Sequence, residues 1–216
     1  MPKVHGVNAS PFVRKVRVAL AEKGIDYELI PVMPMGVSDE FKKISPLGKI
    51  PVFEADDGFT LPDSSCILPY LERTQPDPSL YPKDAKDFGW ALFLEEYADS
   101  KLAETVGGVF FNRVMKAKIL KQEPDQDRIR QSVEQEMPAF LDYLETRAPE
   151  DGDGIVGGRF SVADIGLGSQ FANWKLGGET IDASRWPRFA AYIERIHARP
   201  SFKACIEEEK AQLGSM

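Results

Sequence analysis

Residues 48–54 read Gly48-Lys49-Ile50-Pro51-Val52-Phe53-Glu54, and this stretch decides how the first part of the chain folds. A glycine closes an irregular loop, a proline opens an extended segment, and β-branched and aromatic residues continue it. Proline cannot donate to a strand ladder, so it suits a strand start or a sheet edge, and the Ile50-Pro51 bond is open to either isomer. Downstream, Phe59-Thr60-Leu61 reads as a further strand, and Asp63-Ser64 stands before Cys66-Ile67-Leu68-Pro69-Tyr70-Leu71, which predicts a helix from Ser64 to Arg73. Asp or Ser there is an ordinary N-cap. A carboxylate and a hydroxyl at an exposed helix start are also suited to gripping the ammonium and carboxylate of an amino acid. Cys66 reads as a small buried residue of that helix.

Upstream of the loop, Lys3-Val4-His5-Gly6-Val7 reads as a strand, Pro11 to Lys23 as a helix closed by Gly24, and Tyr27 to Val32 as a second strand. The helix carries an apolar stripe of Phe12, Val16, Ala19 and Leu20. The order is β-α-β, an irregular link, then β-β-α. It predicts a small mixed sheet whose first two strands are parallel, because a helix crosses between them. Ser10 sits at the first strand-to-helix turn, followed by Pro11 as the first helical residue. It is either a plain cap or a hydroxyl placed where backbone N–H groups and the macrodipole favour an anion such as a thiolate.

Of the sixteen prolines, eleven fall in residues 1–84 and five in residues 85–216, so the two parts of the chain have different grammars. Gln75-Pro76-Asp77-Pro78-Ser79-Leu80-Tyr81-Pro82 reads as a stiff linker. Domains of 1–80 and 85–216 are expected. The second is all-helical, with segments near 85–121, 126–148, 161–176, 187–198 and 200–212 and no strand. Gly107-Gly108 should bend the first of these or admit a close neighbour.

The net charge of −7 and a hydrophobic fraction of 43% describe a soluble globular chain with no basic footprint for nucleic acid or anionic lipid. Two cysteines, Cys66 and Cys205, and two histidines, His5 and His197, predict neither a disulfide framework nor a His/Cys metal site. Arg14, Lys15 and Arg17 interrupt the first apolar stretch, so neither a signal segment nor a membrane span is expected, and a cytoplasmic location is the reading.

Ser10, Pro51 and Asp63-Ser64, in this order, resemble the glutathione transferase superfamily, and the likeness covers nearly the whole chain. Phe160-Ser161-Val162-Ala163-Asp164-Ile165 is similar to that family's buried capping box with its hydrophobic staple, and Arg185-Trp186-Pro187 and Ala198-Arg199-Pro200 fit its C-terminal pattern. Ser10 to Arg17 resembles the serine-type members, tau-like or related bacterial forms. The resemblance implies an α+β, two-domain protein: a thioredoxin-like N-terminal domain with a mixed four-stranded sheet, and an all-α C-terminal bundle. It implies glutathione as co-substrate, with no metal. Ser10 would bond the sulfur, with Asn8 in the same turn as a second candidate, and Ile50 would offer its backbone to the cysteinyl part beside a cis Pro51. Asp63 and Ser64 would hold the γ-glutamyl end, Asp63 standing where Glu is more usual, and Lys49 would pair with the glycyl carboxylate. A small hydrophobic electrophile would lie among Phe12, Met33, Met35, Phe110, Phe111, Met115 and Trp174. The implied activity is detoxifying conjugation in a homodimer. The alternatives are a glutathione-dependent isomerase or reductase, or a non-catalytic binding protein of the same fold.

Overall fold

The computed structural model describes residues 1–214, and the chain divides into two compact units, Met1–Tyr81 and Pro82–Met216. The first unit runs β1 (Lys3–Gly6), α1 (Pro11–Glu22), β2 (Glu28–Pro31), α2 (Asp39–Ile44), β3 (Val52–Glu54), β4 (Thr60–Pro62) and α3 (Ser64–Thr74). Its sheet has the order β2-β1-β3-β4, with β1 and β2 parallel and the other pairs antiparallel. The expected mixed four-stranded sheet is therefore present. The link between β2 and β3 holds the short helix α2, capped by Ser38, whose Oγ accepts the Phe41 N–H at 3.1 Å. Two turns of amphipathic sequence with a single buried residue, Phe41, leave little periodic signal, which is why this helix does not stand out in the sequence.

Helix α1 starts as its sequence dictates, with Ser10 extended at the N-cap and Pro11 first in the helix. It ends in paired bonds, Gly24 N–H to Ala21 C=O at 3.1 Å and Ile25 N–H to Leu20 C=O at 2.9 Å, with Gly24 at φ +66°. The helix is buried nearly all round rather than on one stripe. Val13, Val16, Val18, Ala19 and Leu20 are enclosed together with the cationic side chains Arg14, Lys15 and Arg17, while Phe12 stays half-exposed. Lys23 ties the end of α1 to the proline-rich segment: its Nζ donates to Glu72 Oε2 at 2.8 Å, Gln75 C=O at 2.7 Å and Pro78 C=O at 2.9 Å. Asp77-Pro78 is cis.

The second unit holds α4 (Ala85–Asp99), α5 (Lys101–Phe110), α6 (Gln126–Arg130), α7 (Met137–Arg147), α8 (Val162–Leu176), α9 (Pro187–Ala198) and α10 (Pro200–Gly214), with π-wound turns at Phe111–Ile119 and Gln131–Glu136. The segment expected as one helix over 85–121 breaks at Ser100, whose φ −98° and ψ −111° leave the helical region, and not at the glycine pair. Gly108 instead admits a neighbour, since a Cβ there would collide with Ser132 Oγ and come within 2.9 Å of the Arg128 guanidinium. The segment expected over 126–148 is helical but widens before α7. Pro138 has no N–H to return to the preceding turn, so the ladder ahead of it loosens. The only β-pairing in this unit among the described residues is an isolated bridge between Val156 and Arg159.

Helix α8 is enclosed from Val162 to Trp174 and is the axis of this unit. Its N-terminus is built on Asp164, which is 0% exposed. The Asp164 carboxylate accepts the Ser161 N–H at 2.7 Å, the Ser161 hydroxyl at 3.0 Å, the Ile155 N–H at 2.8 Å and the Tyr192 hydroxyl at 2.5 Å. Burial pushes this carboxyl up to about 6 against the pull of those donors. The capping box read from Phe160 to Ile165 is present, with its acid also clamping the loop before it and α9 behind it. Asp164→Ala would strand four buried donors at once, so it should lower stability by about 4 kcal/mol or more in urea unfolding. Ser161→Ala should cost about 0.5–2 kcal/mol in the same measurement and leave the kinetics of the folded protein nearly unchanged.

Candidate active site

The β1–α1 turn, the residues before β3 and the first turn of α3 meet at one end of the sheet in the first unit. The antiparallel register pairs His5 with Val52, so the chain before Val52 runs back beside Gly6 and Val7. A Cβ placed on Gly6 would lie 3.5 Å from the Ile50 Cβ and 3.4 Å from Val13 Cγ1, so strand, loop and α1 close on a position with room only for glycine. Ser10 Oγ accepts the Val13 N–H at 3.4 Å. A hydroxyl that accepts from the helix keeps its own proton for another partner. Asn8, two residues earlier, is held by its carbonyl oxygen, which accepts from Arg17 Nη1 at 3.1 Å, and Arg17 Nε donates to Tyr27 OH at 2.6 Å. Its amide N–H groups remain the donors it can offer.

The loop before β3 is tightly arranged. Buried Ser45 bonds both backbone groups of Lys49, accepting its N–H at 3.1 Å and donating to its C=O at 2.7 Å. The Lys49 side chain is exposed, and no backbone hydrogen bond among the described residues uses the N–H or C=O of Ile50. Ile50-Pro51 is cis, and the Pro51 C=O accepts the Asp63 N–H at 3.2 Å, which joins the loop to the start of α3. Asp63 is exposed and holds φ +77°, a conformation costly for a residue with a side chain, while its Oδ1 accepts the Ser65 N–H at 2.9 Å.

Ser10, Ile50, Pro51 and Asp63 thus come together at one edge. Ser64 departs from the expectation of an exposed hydroxyl: its side chain is turned inward at 2% exposed, because the first helical turn rotates it toward the core. The half-exposed hydroxyl is that of Ser65, whose Oγ accepts from the buried Lys15 Nζ at 3.4 Å. Sequence reading passed over both; cations interrupting an otherwise apolar helix face were the available signal for Lys15. Cys66 is exposed, against the expectation of a buried residue, because the enclosed positions of this turn go to Ser64 and Ile67.

The apolar candidates are dispersed. In the first unit Phe12 is half-exposed, and Met33 and Met35, both exposed, line a cavity of about 520 Å³ with His5 and Phe41. In the second unit Phe110 is buried, Phe111 exposed and Met115 half-exposed. Trp174 is buried and lines a separate cavity of about 380 Å³ with Phe171, Ile181 and Ile193, in which none of those three takes part. Among the described residues no group of three or more His, Cys, Asp or Glu side chains could hold a metal ion, and no helix is long and apolar enough to cross a membrane.

The chain is 29% identical over 196 residues to the probable glutathione S-transferase DHAR1, cytosolic, of Oryza sativa subsp. japonica, covering 89% of this chain and 81% of that protein. It is also 29% identical over 197 residues to maleylacetoacetate isomerase of Rattus norvegicus, covering 88% and 84%. A crystal structure of a glutathione S-transferase from Methylobacterium radiotolerans, in complex with glutathione sulfonate, superposes with a TM-score of 0.75 at 30% identity, over 95% of this chain and 94% of that one. The family description "Glutathione S-transferase, N-terminal domain" matches residues 4–79 and "Glutathione S-transferase, C-terminal domain" matches residues 108–209, so the chain belongs to the glutathione S-transferase family.

Proposed function

We propose that the protein conjugates the thiolate of glutathione to small hydrophobic electrophiles. The observation that carries this reading is Ser10, a hydroxyl capping the N-terminus of α1 by accepting the Val13 N–H, beside an Ile50 whose backbone N–H and C=O make no hydrogen bond among the described residues. The cysteinyl part of glutathione would pair with Ile50 as an added strand would, next to cis Pro51. Its sulfur would then lie at the start of α1, where the Ser10 hydroxyl donates to it and the helix end favours negative charge. The Asp63 carboxylate takes the γ-glutamyl ammonium. The N-terminal N–H of α3 at Ser64 and the Ser65 hydroxyl take the γ-glutamyl carboxylate, so Ser64 acts here through its backbone. Exposed Lys49 reaches the glycyl carboxylate.

The chemical task is to favour thiolate over thiol, because the thiolate is the nucleophile. A hydrogen bond to a charged group is worth about 1.5–3 kcal/mol, which corresponds to a thiol pKa lowered by about one to two units. Within the first unit, Phe12 with Met33 and Met35 is the proposed apolar wall for the electrophile. A second reading is favoured by the likeness to maleylacetoacetate isomerase: the same thiolate adding to a conjugated double bond and leaving again would isomerise it without net conjugation. Reduction through a mixed disulfide fits less well, since position 10 carries a hydroxyl and not a thiol. We place the activity in the cytoplasm, in a detoxifying role. A homodimer is proposed with it, since the family is generally dimeric and α4 exposes Phe88, Trp90, Leu92 and Phe93.

Ser10→Ala removes the donor and spares the helix end. The ultraviolet titration of the bound thiol should move up by about one to two pH units, and conjugation at neutral pH should fall about 10- to 100-fold with glutathione affinity little changed. An unchanged titration and rate would leave Ser10 as a cap only, and Asn8 as the thiolate donor. Asp63→Ala should raise the glutathione Kd more than it lowers the rate at saturation, since an anchor distant from sulfur contributes mainly uniform binding; equal affinity would remove Asp63 from the site. Light scattering at micromolar concentration should give about twice 24.1 kDa, and a mass near 24.1 kDa would refute the dimer.

A further inference from the structure

We propose that the cavity between β2, the loop after it and α2 is a binding site for a soft monovalent metal ion, copper(I), held by the imidazole of His5 and the thioethers of Met33 and Met35. The three side chains line one cavity of about 520 Å³ within the first unit. His5 is already oriented as a ligand: its Nε2 lies 2.9 Å from Glu54 Oε2, and the other Glu54 oxygen accepts Lys3 Nζ at 2.8 Å. With the Nε2 proton donated to that carboxylate, the lone pair is on Nδ1, which no hydrogen bond among the described residues takes up. A carboxylate behind the second ring nitrogen is the support that metal-bound imidazoles have, since it sets the tautomer and raises the basicity of the ligating atom.

The other two donors decide which ion fits. Thioethers are neutral and soft, so they bind copper(I) in preference to magnesium, calcium or zinc, and no cluster of hard or thiolate ligands competes for the place among the described residues. Met33 and Met35 are 44% and 43% exposed, so an incoming ion reaches sulfur without unfolding anything, and their unbranched side chains can swing onto it. Gly36, at φ +70°, turns the chain directly after Met35 and returns it to α2. Phe41 and Ile44 supply apolar wall, and the Glu40 carboxylate at the rim is paired with Lys43 at 2.6 Å, which leaves the soft donors as the ligands.

The test presents copper(I) as its bicinchoninate complex, under nitrogen and without glutathione, to the Cys66→Ser protein, so that the exposed thiol does not compete. The protein should withdraw one equivalent and bleach the complex. With methyl-13C-methionine labelling, the Met33 and Met35 signals should move while those of the other four methionines stay in place. His5→Gln and the double variant Met33→Leu/Met35→Leu should each weaken binding at least tenfold, the leucine pair lying at exposed positions where folding is not at stake. An intact bicinchoninate complex, copper affinity unchanged in the leucine variant, or a preference for zinc over copper(I) would overturn the proposal. Glutathione binding is read separately on the same proteins, so either result stands without the other.

Discussion

The absence of a side chain at Gly6 is the constraint on which the candidate site depends. Val13 of α1 and Ile50 of the loop before β3 close on that position from two directions, with the Ile50 Cβ only 3.5 Å from where a Cβ would be. This lets the end of β1, the start of α1 and the cis-proline loop approach so closely that Ser10 and the open backbone of Ile50 share one edge. From there the link continues through covalent geometry and hydrogen bonds. The Pro51 carbonyl accepts from Asp63, Asp63 caps α3, and Lys15 on α1 reaches Ser65 on the first turn of the same helix. Residues 10, 50, 63 and 65 are thus placed by one packing decision and not by four.

The second unit has an equivalent in Asp164. A carboxylate with no exposure is costly to keep unless several donors meet it, and four do, drawn from the cap, the preceding loop and α9. Because α8 is enclosed along most of its length, the position of its N-terminus sets the position of everything packed round it. The glycines of α8 serve the same end: a Cβ on Gly168 would come within 2.7 Å of both Ile196 and Phe202, so α9 and α10 lie close against the axis. The two units therefore solve different problems. The first brings polar groups to an edge and leaves the Ile50 backbone without a hydrogen bond among the described residues, and the second gathers four donors at a buried carboxylate to hold a helix still.

Backbone strain falls where ligand contact is proposed. Asp63 adopts a positive φ although it carries a side chain, and it does so between the carbonyl of Pro51 and the N–H of Ser65. A glycine would relieve the strain and remove the carboxylate.

Local chemistry was enough to read much of this protein from its residues. Proline at a strand start, Ser-Pro at a helix start, a glycine after the last turn and a Ser-x-x-Asp box each act within a few residues, so the four strands and two longer helices of the first unit and the cap of α8 could be placed without a structure. The family likeness rests on the same local signals. Features that depend on distant neighbours were not legible. Helix α2 has one buried residue and no period to reveal it. The break at Ser100 and the widening before Pro138 depend on what packs alongside, and Gly108 is small because Arg128 and Ser132 cross it. Side-chain direction at the start of α3, which turns Ser64 inward and leaves Ser65 and Cys66 outward, follows from how the helix lies on the sheet. So does the gathering of His5, Met33 and Met35 round one cavity: β-strand pairing and the return of the chain into α2 bring together residues whose spacing in the sequence carries no sign of it.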